Sequence, residues 1–349
     1  MELVRTADVL MEGARPGVAE RLGFGPAVCQ TENPRLIYAR MTGWGQEGPY
    51  AHRGGHDVNF IGLTGVLNAI GRADSGPVPP LNLVGGSAGG TMFMAFGIVS
   101  ALLETKWSGL GQVIDAAMVD GAAMLMSPYY ESTALGTMGP RGTNGNDSGY
   151  PYFGAYETSD GLYMAVGAYE PAFYNRFVDG LGLDPTTLPP QHDTSGWAQL
   201  RRVFTAAFAL KTRAEWTHQF DGIDACVVPV LTLAEAPADA HLCSRSTYIE
   251  IDGIPQAAPA PRFSRTPGGA TRPLSGIRMR CSPKRHSLRS VSPNFVHAER
   301  LTEIENGVAP QPARHSITSN LSLMRCRGGR REHPRWSSGT AHPGSSPGQ

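Results

Sequence analysis

A run of six small residues, Gly85-Gly86-Ser87-Ala88-Gly89-Gly90, stands directly before an apolar stretch from Thr91 to Lys106 and constrains this chain more than any other feature. Positions with little or no side chain let a backbone approach a neighbouring helix or a ligand closely, at a cost in chain entropy. The apolar stretch predicts a buried helix, in which Ala95, Gly97, Ser100 and Ala101 permit tight packing. The run is not a Walker-type phosphate loop, since it lacks the lysine and the spacing of that motif.

Strand-like and helical segments alternate around this run. Thr6 to Met11 and Arg35 to Thr42 read as short strands, and Val18 to Leu22 as a short helix after Pro16. The loop Gly43-Trp44-Gly45-Gln46-Glu47-Gly48-Pro49 closes the second strand, and Gln112 to Met126 is a further apolar element. Farther on, Ser159-Asp160-Gly161 separates the runs Tyr152 to Thr158 and Leu162 to Gly167, and Asp-Gly suits the positive φ values of a tight hairpin. Helices are expected over Pro171 to Leu181, Trp197 to Phe208 and Arg213 to Phe220, with a returning strand in Asp224 to Val230. This alternation predicts an α/β architecture. The expected division is a large domain over 1–148, a small α/β domain over 149–235 and a return connection over 236–267, extended from Pro255 to Pro267.

Charge sets residues 268–349 apart. The whole chain balances 30 basic against 30 acidic residues, yet this last segment holds 13 basic and 4 acidic ones. Either a nucleic-acid-binding arm or a segment under no folding constraint would show such asymmetry. The second reading is preferred, because the segment is rich in Arg, Ser, Pro, Gly and His and holds only two aromatic residues, Phe295 and Trp336, among its charges. A disordered tail and no nucleic-acid partner are therefore expected. Cys29, Cys226, Cys243, Cys281 and Cys326 form neither a zinc pattern nor a disulfide framework, as a reducing cytoplasm would favour. The longest mostly apolar run, Met92 to Leu103, is about 12 residues against the roughly 20 needed to span a bilayer. No membrane association and no export signal are expected.

Several words, in this order, resemble the α-methylacyl-CoA racemases of the family III CoA-transferase group. They are Ala7-Asp8-Val9-Leu10-Met11-Glu12-Gly13-Ala14-Arg15-Pro16-Gly17, Asn33-Pro34-Arg35-Leu36-Ile37-Tyr38-Ala39-Arg40, Gly55-His56-Asp57-Val58-Asn59-Phe60, Gly111-Gln112-Val113-Ile114-Asp115-Ala116-Ala117, Gly167-Ala168-Tyr169-Glu170-Pro171 and Ala260-Pro261-Arg262-Phe263. The resemblance runs from Ala7 to about Pro267. It implies the family III CoA-transferase fold, with a partial Rossmann-like large domain, since its relatives begin with further βα units, and a small α/β domain. It also implies an acyl-CoA thioester substrate, an interlocked homodimer, and no metal or redox cofactor, because CoA is part of the substrate.

Racemisation beside a thioester removes an α-proton from one face and delivers another to the opposite face, so two proton carriers are needed. The intermediate enolate needs donors for its oxygen. By resemblance, His56 is one carrier, Glu170 supports it, and an aspartate at the position of Gly86 is the other; this chain keeps the first pair and lacks the second carrier. Gly13, Ala14, Arg15 and Arg21 match positions along the CoA site, where an arginine can pair bidentately with phosphate. Gly55, Asp57, Val58, Asn59 and Phe60 surround His56 and are expected to meet the substrate. Each has a plainer reading as well. A histidine in a glycine-rich loop can simply hydrogen-bond that loop, a glutamate before Pro171 suits a helix N-terminus, and the arginines can be solvated charges. Three functions stand open: racemisation of 2-methylacyl-CoA thioesters, CoA transfer between acyl groups, and a catalytically inactive relative or CoA-binding partner. The second would need a nucleophilic carboxylate where Gly86 stands.

Overall fold

Two compact units divide the chain between Tyr150 and Pro151 in the computed structural model, which describes residues 1–269 and 321–324. The first unit is built on parallel strands β1 (Val9–Glu12), β2 (Ile37–Thr42) and β3 (Val113–Ala117), with β2 in the centre. Val9 lies opposite Ile37, and Tyr38 opposite Val113. Between β1 and β2 come helices α1 (Val18–Arg21) and α2 (Pro26–Glu32); between β2 and β3 come α3 (Asp57–Leu63), α4 (Val66–Ala69) and α5 (Phe93–Ser108); α6 (Met118–Leu125) and α7 (Ser127–Ala134) follow β3.

Alternation along β2 divides the core. Ile37 and Ala39 pack with Val9 and with Met94, Ile98 and Ala101 of α5 on one face, while Tyr38 joins Leu10, Leu36 and Cys29 on the other. A strand buried on both faces reads as a continuous apolar run, which Leu36-Ile37-Tyr38-Ala39 is.

The expected buried helix over Thr91 to Lys106 needs two corrections. It begins earlier, because Leu83–Met92 continue it backwards in π-helical turns. It is also buried on one face only: Met94, Ile98, Ala101 and Thr105 are covered, whereas Met92, Phe96, Val99, Leu103 and Trp107 are exposed, Phe96 at 72% and Trp107 at 79%. A helix apolar all round carries no amphipathic signal that says which face is covered. By length and composition, Leu83–Ser108, 26 residues with an 18-residue stretch of mean hydropathy 1.5, is long and apolar enough to cross a membrane. The shorter run read from sequence stopped at glycines that the helix passes through. Gln112 to Met126, expected as one element, divides into β3 and α6 at Ala117 and Met118.

The glycines have a packing role. A Cβ added to Gly121 of α6 would stand 1.8 Å from the Gly89 carbonyl oxygen, so the two backbones meet where neither residue has a side chain.

The second unit starts with the hairpin of β4 (Phe153–Glu157) and β5 (Tyr163–Gly167), whose turn holds Gly161 at φ 74°. Helices α8 (Pro171–Gly180), α9 (Trp197–Phe208) and α10 (Arg213–Gln219) follow, and β6 (Val227–Pro229) pairs antiparallel with β5. Its core is aromatic: Phe177 meets Phe204 edge-on at 4.9 Å, and Tyr156 stacks on Phe208 at 5.1 Å.

The segment 236–267, expected as a return connection, instead holds α11 (Ala240–Ser244) and the hairpin of β7 (Tyr248–Ile251) and β8 (Ile254–Ala257). Pro255 sits opposite Glu250 in that two-stranded ribbon, whose exposed edges accept a proline. Of the segment expected to be without structure, Leu321–Met324 departs from the expectation and forms an edge strand antiparallel to β1. Residues 270–320 and 325–349 lie outside the described residues.

Candidate functional site

A cavity of about 360 Å³ opens at the carboxyl ends of the parallel strands, wholly within the first unit. Open parallel sheets bind ligands at this edge, because the loops that follow the strands gather there. After β1 come Gly13, Ala14, Arg15 and Pro16; the end of β2 and its loop supply Met41, Thr42, Gly43 and Trp44; Met118 follows β3. The opposite wall is Gly55, His56, Asp57 and Phe60 at the start of α3, with Asn82 and Gly86 from the helix that leads into α5.

His56 precedes α3 in extended backbone, and its N–H donates to the Asn59 side-chain oxygen at 3.0 Å. That bond fixes the first turn and leaves the exposed imidazole at the cavity. Asp57 is only 7% exposed; its Oδ2 accepts the Gly86 N–H, and its buried Oδ1 has no hydrogen-bond partner among the described residues. Phe60 packs edge-on against Trp44 at 4.7 Å and closes the floor. Around this wall the carboxylate expected opposite His56 is replaced by space. A Cβ on Gly86 would stand 3.6 Å from Asp57 Oδ2 and 3.9 Å from the Asn82 Cβ, ordinary contact distances.

Two cations border the cavity. Arg15 is exposed there, and Arg53 lies over the Tyr50 ring at 4.3 Å; neither has a carboxylate partner among the described residues. Such guanidinium groups are available to phosphate.

Beneath the Gly13–Arg15 loop lies an ionic group that sequence reasoning missed. Glu12 and Arg40, at 4% and 6% exposure, join through Arg40 Nε to Glu12 Oε1 at 2.8 Å, and Arg40 Nη1 reaches Glu20 Oε1 at 2.8 Å. The other Glu12 oxygen accepts the Ala14 N–H, which pins the loop. Partial burial acts to raise the Glu20 carboxyl, but its Arg40 hydrogen bonds outweigh this and hold it below the usual carboxylate range. Burial pushes the Tyr38 hydroxyl up, and the Glu12 charge adds to the effect. Buried charges survive only when paired, so Glu12 beside Gly13 and Arg40 at the end of an apolar strand were the signal that could have found the group.

The structure thus gathers Gly13, Ala14, Arg15, Gly55, His56, Asp57 and Phe60 around one cavity. Arg21 and Val58 are exposed and do not line it, and Asn59 serves the His56 backbone. Glu170 belongs to the second unit, exposed ahead of α8.

The carboxyl edge of this parallel sheet thus carries a histidine, a carboxylate and two arginines without a carboxylate partner among the described residues, a set with the chemistry to meet an anionic group. The sequence profile of CoA-transferase family III matches residues 1–276, and the chain belongs to that family. It is similar to the alpha-methylacyl-CoA racemase of Mus musculus, with 47% identity over 75% of this chain and 69% of the relative. It is similar also to that of Homo sapiens, with 45% identity over 76% and 72%. A CAIB/BAIF family protein from Brucella suis shares the fold, with TM-score 0.65 at 24% identity over 76% of this chain and 72% of that one.

Proposed function

We infer that this chain is an acyl-CoA isomerase that racemises 2-methylacyl-CoA thioesters by α-proton abstraction and reprotonation through an enolate. The observation that carries this reading is the placement of His56 in the same cavity as the Gly13–Arg15 loop, in a chain 45–47% identical to two alpha-methylacyl-CoA racemases. His56 takes the α-proton from one face, and the Asp57 and Val58 N–H groups at the start of α3 offer donors to the enolate oxygen, those of Asn59 and Phe60 being bonded to the His56 carbonyl. Arg15 and Arg53 receive the CoA phosphates, and Ala14 is held for that contact by Glu12. The chemistry calls for no metal or redox cofactor. The resemblance gives Glu170 the part of supporting His56, and Glu170→Gln should then lower turnover at unchanged KM.

A second copy of the chain is the proposed cover for the exposed face of α5. Met92, Phe96, Val99, Leu103 and Trp107 recur at helical spacing, and a contiguous apolar face of this kind marks an interaction surface. The opposite face of the same helix packs on the sheet, which supports a homodimer over a membrane span. The described lining of the cavity comes from residues 13–118, and no nucleic-acid partner is proposed for the basic excess in 268–349. Free Cys29, Cys226 and Cys243 suit the cytoplasm proposed for it.

Incubating each epimer of a 2-methylacyl-CoA in deuterium oxide tests the activity. Deuterium at the α-carbon with inversion supports racemisation; acyl exchange between two CoA thioesters without it would establish transfer instead. Analytical ultracentrifugation of the protein and of a Phe96→Glu, Trp107→Glu variant tests the dimer, which the variant should dissociate.

A further inference from the structure

The arginines that border the cavity and its imidazole share one short segment, and a single ring lies against the middle of it. Arg53, Gly54, Gly55 and His56 are consecutive, and Arg15 Nη2 lies 3.3 Å from where a Cβ on Gly54 would stand. Trp44, half-buried on the cavity wall, meets this segment directly. Its Nε1 reaches the Gly54 carbonyl oxygen at 3.5 Å, too long for a strong hydrogen bond. Packing does more. A Cβ on Gly55 would stand 3.0 Å from Trp44 Nε1 and 2.7 Å from the Phe60 ring, so the backbone before His56 lies on the two rings. The Trp44 ring meets Phe60 of α3 edge-on at 4.7 Å and Tyr50 edge-on at 5.2 Å, and the Arg53 guanidinium lies over Tyr50 at 4.3 Å. A line of three rings thus joins Arg53 to the helix start that carries His56.

We propose that Trp44 is a positioning residue of this cavity, a proposal that rests on the racemase reading above. Its part is to turn the hold of Arg15 and Arg53 on the CoA phosphates into a fixed place for the imidazole. Two of the four residues in 53–56 are glycines, which leave a chain more conformations than any other residue. Without the ring, the phosphates would be held while the imidazole was free to move. Proton abstraction needs the base within reach of the α-proton, and a misplacement of about 1 Å can cost about 10²-fold in rate. Binding energy gained at the phosphates, remote from the reacting carbon, then raises kcat and not affinity alone.

The test compares two thioesters of one 2-methylacyl group, that of CoA and that of pantetheine, which lacks the phosphates. Turnover is read as exchange of the α-proton in deuterium oxide. In the unaltered protein the CoA thioester is expected to have the higher kcat, and in Trp44→Ala that advantage is expected to fall by up to about 10²-fold. Trp44→Phe, which keeps a ring against Gly55, should regain most of it. Tyr50→Leu, which breaks the line between Trp44 and Arg53, should lose it as Trp44→Ala does. Three results would overturn the proposal: no advantage of the CoA thioester in the unaltered protein, an advantage that survives Trp44→Ala, or an equal fold-loss for both thioesters in Trp44→Ala and Tyr50→Leu, as a merely structural ring would give. Bound acyl-CoA without exchange in the unaltered protein would remove the racemase reading itself. The positioning role is then judged by the His56 ring-proton signals in NMR, identified by their absence in His56→Gln. Free CoA should shift them in the unaltered protein and leave them in place in Trp44→Ala; an equal shift in both would remove Trp44 as well.

Discussion

The two units solve the problem of a core in different ways. The second closes on itself with aromatic rings, Tyr156, Phe177, Phe204, Phe208, Trp216 and Phe220, all buried. The first packs small residues and backbones, as at Gly89 and Gly121, buries charges beneath a loop, and leaves one face of α5 apolar and exposed. Large rings give much burial per residue and a rigid, self-sufficient body. Glycine contacts and a buried ion group give less, but they leave an edge open for a ligand and a face open for a partner. The candidate cavity falls in the unit packed through glycine contacts and a buried ion group.

The sharpest way to break this comparison is to remove a ring. Phe204→Ala should destabilise the second unit by about 3–5 kcal/mol, the usual cost of emptying a large buried aromatic site. Hydrogen exchange read by mass spectrometry should then show protection lost in α8–α10 and β4–β6 while β1–β3 hold. Equal loss in both would mean that the two units unfold as one.

A smaller effect is expected at the ion group. Arg40→Ala leaves Glu12 buried without its cation, but solvent reaches Glu20, so the cost should stay at or below about 3 kcal/mol. Denaturant unfolding measures it, and acyl-CoA affinity should fall as the Gly13–Arg15 loop loosens. An unchanged affinity would separate the ion group from the site.

The smallest effect concerns an ion pair of the second unit. Arg213 bonds the Glu235 carboxyl and lowers its pKa from 4.5 to about 2, with the Thr232 N–H adding to the effect. Since the folded value lies below the unfolded one, the contribution is fully present above about pH 4.5 and is lost as pH falls towards about 2. Glu235→Gln should flatten that part of the pH–stability curve, and the pair's exposure to water keeps the change small. A steep loss at acid pH that persists in the variant would point to other carboxylates, such as Glu20 in the first unit, whose pKa is also lowered.

Much of the second unit was legible. The Asp160-Gly161 hairpin, the start of α8 at Pro171 and the bounds of α9 follow from local chemistry, namely positive φ, a preset first-turn φ and helical spacing of apolar residues. The first unit was less so. The word Gly55 to Phe60 marked a site, but that it opens α3 with His56 outside and Asp57 inside could not be read from it. Likewise the helix from Leu83 to Ser108 runs through glycines that read as punctuation, because the contact that holds them, on Gly121, lies across the fold.

By itself the sequence determined the family, the alternation of strands and helices, and the words around His56 and Gly86 that carry the candidate site, since each is written in residues close together along the chain. Only the tertiary structure decided that Asp57 is buried against the Gly86 N–H in the cavity of His56, that Glu12, Arg40 and Glu20 form one ionic group, and which face of α5 is left uncovered. These are contacts between distant segments. They depend on how strand ends and helix starts converge at one edge of the sheet, and local propensity holds no information about that convergence.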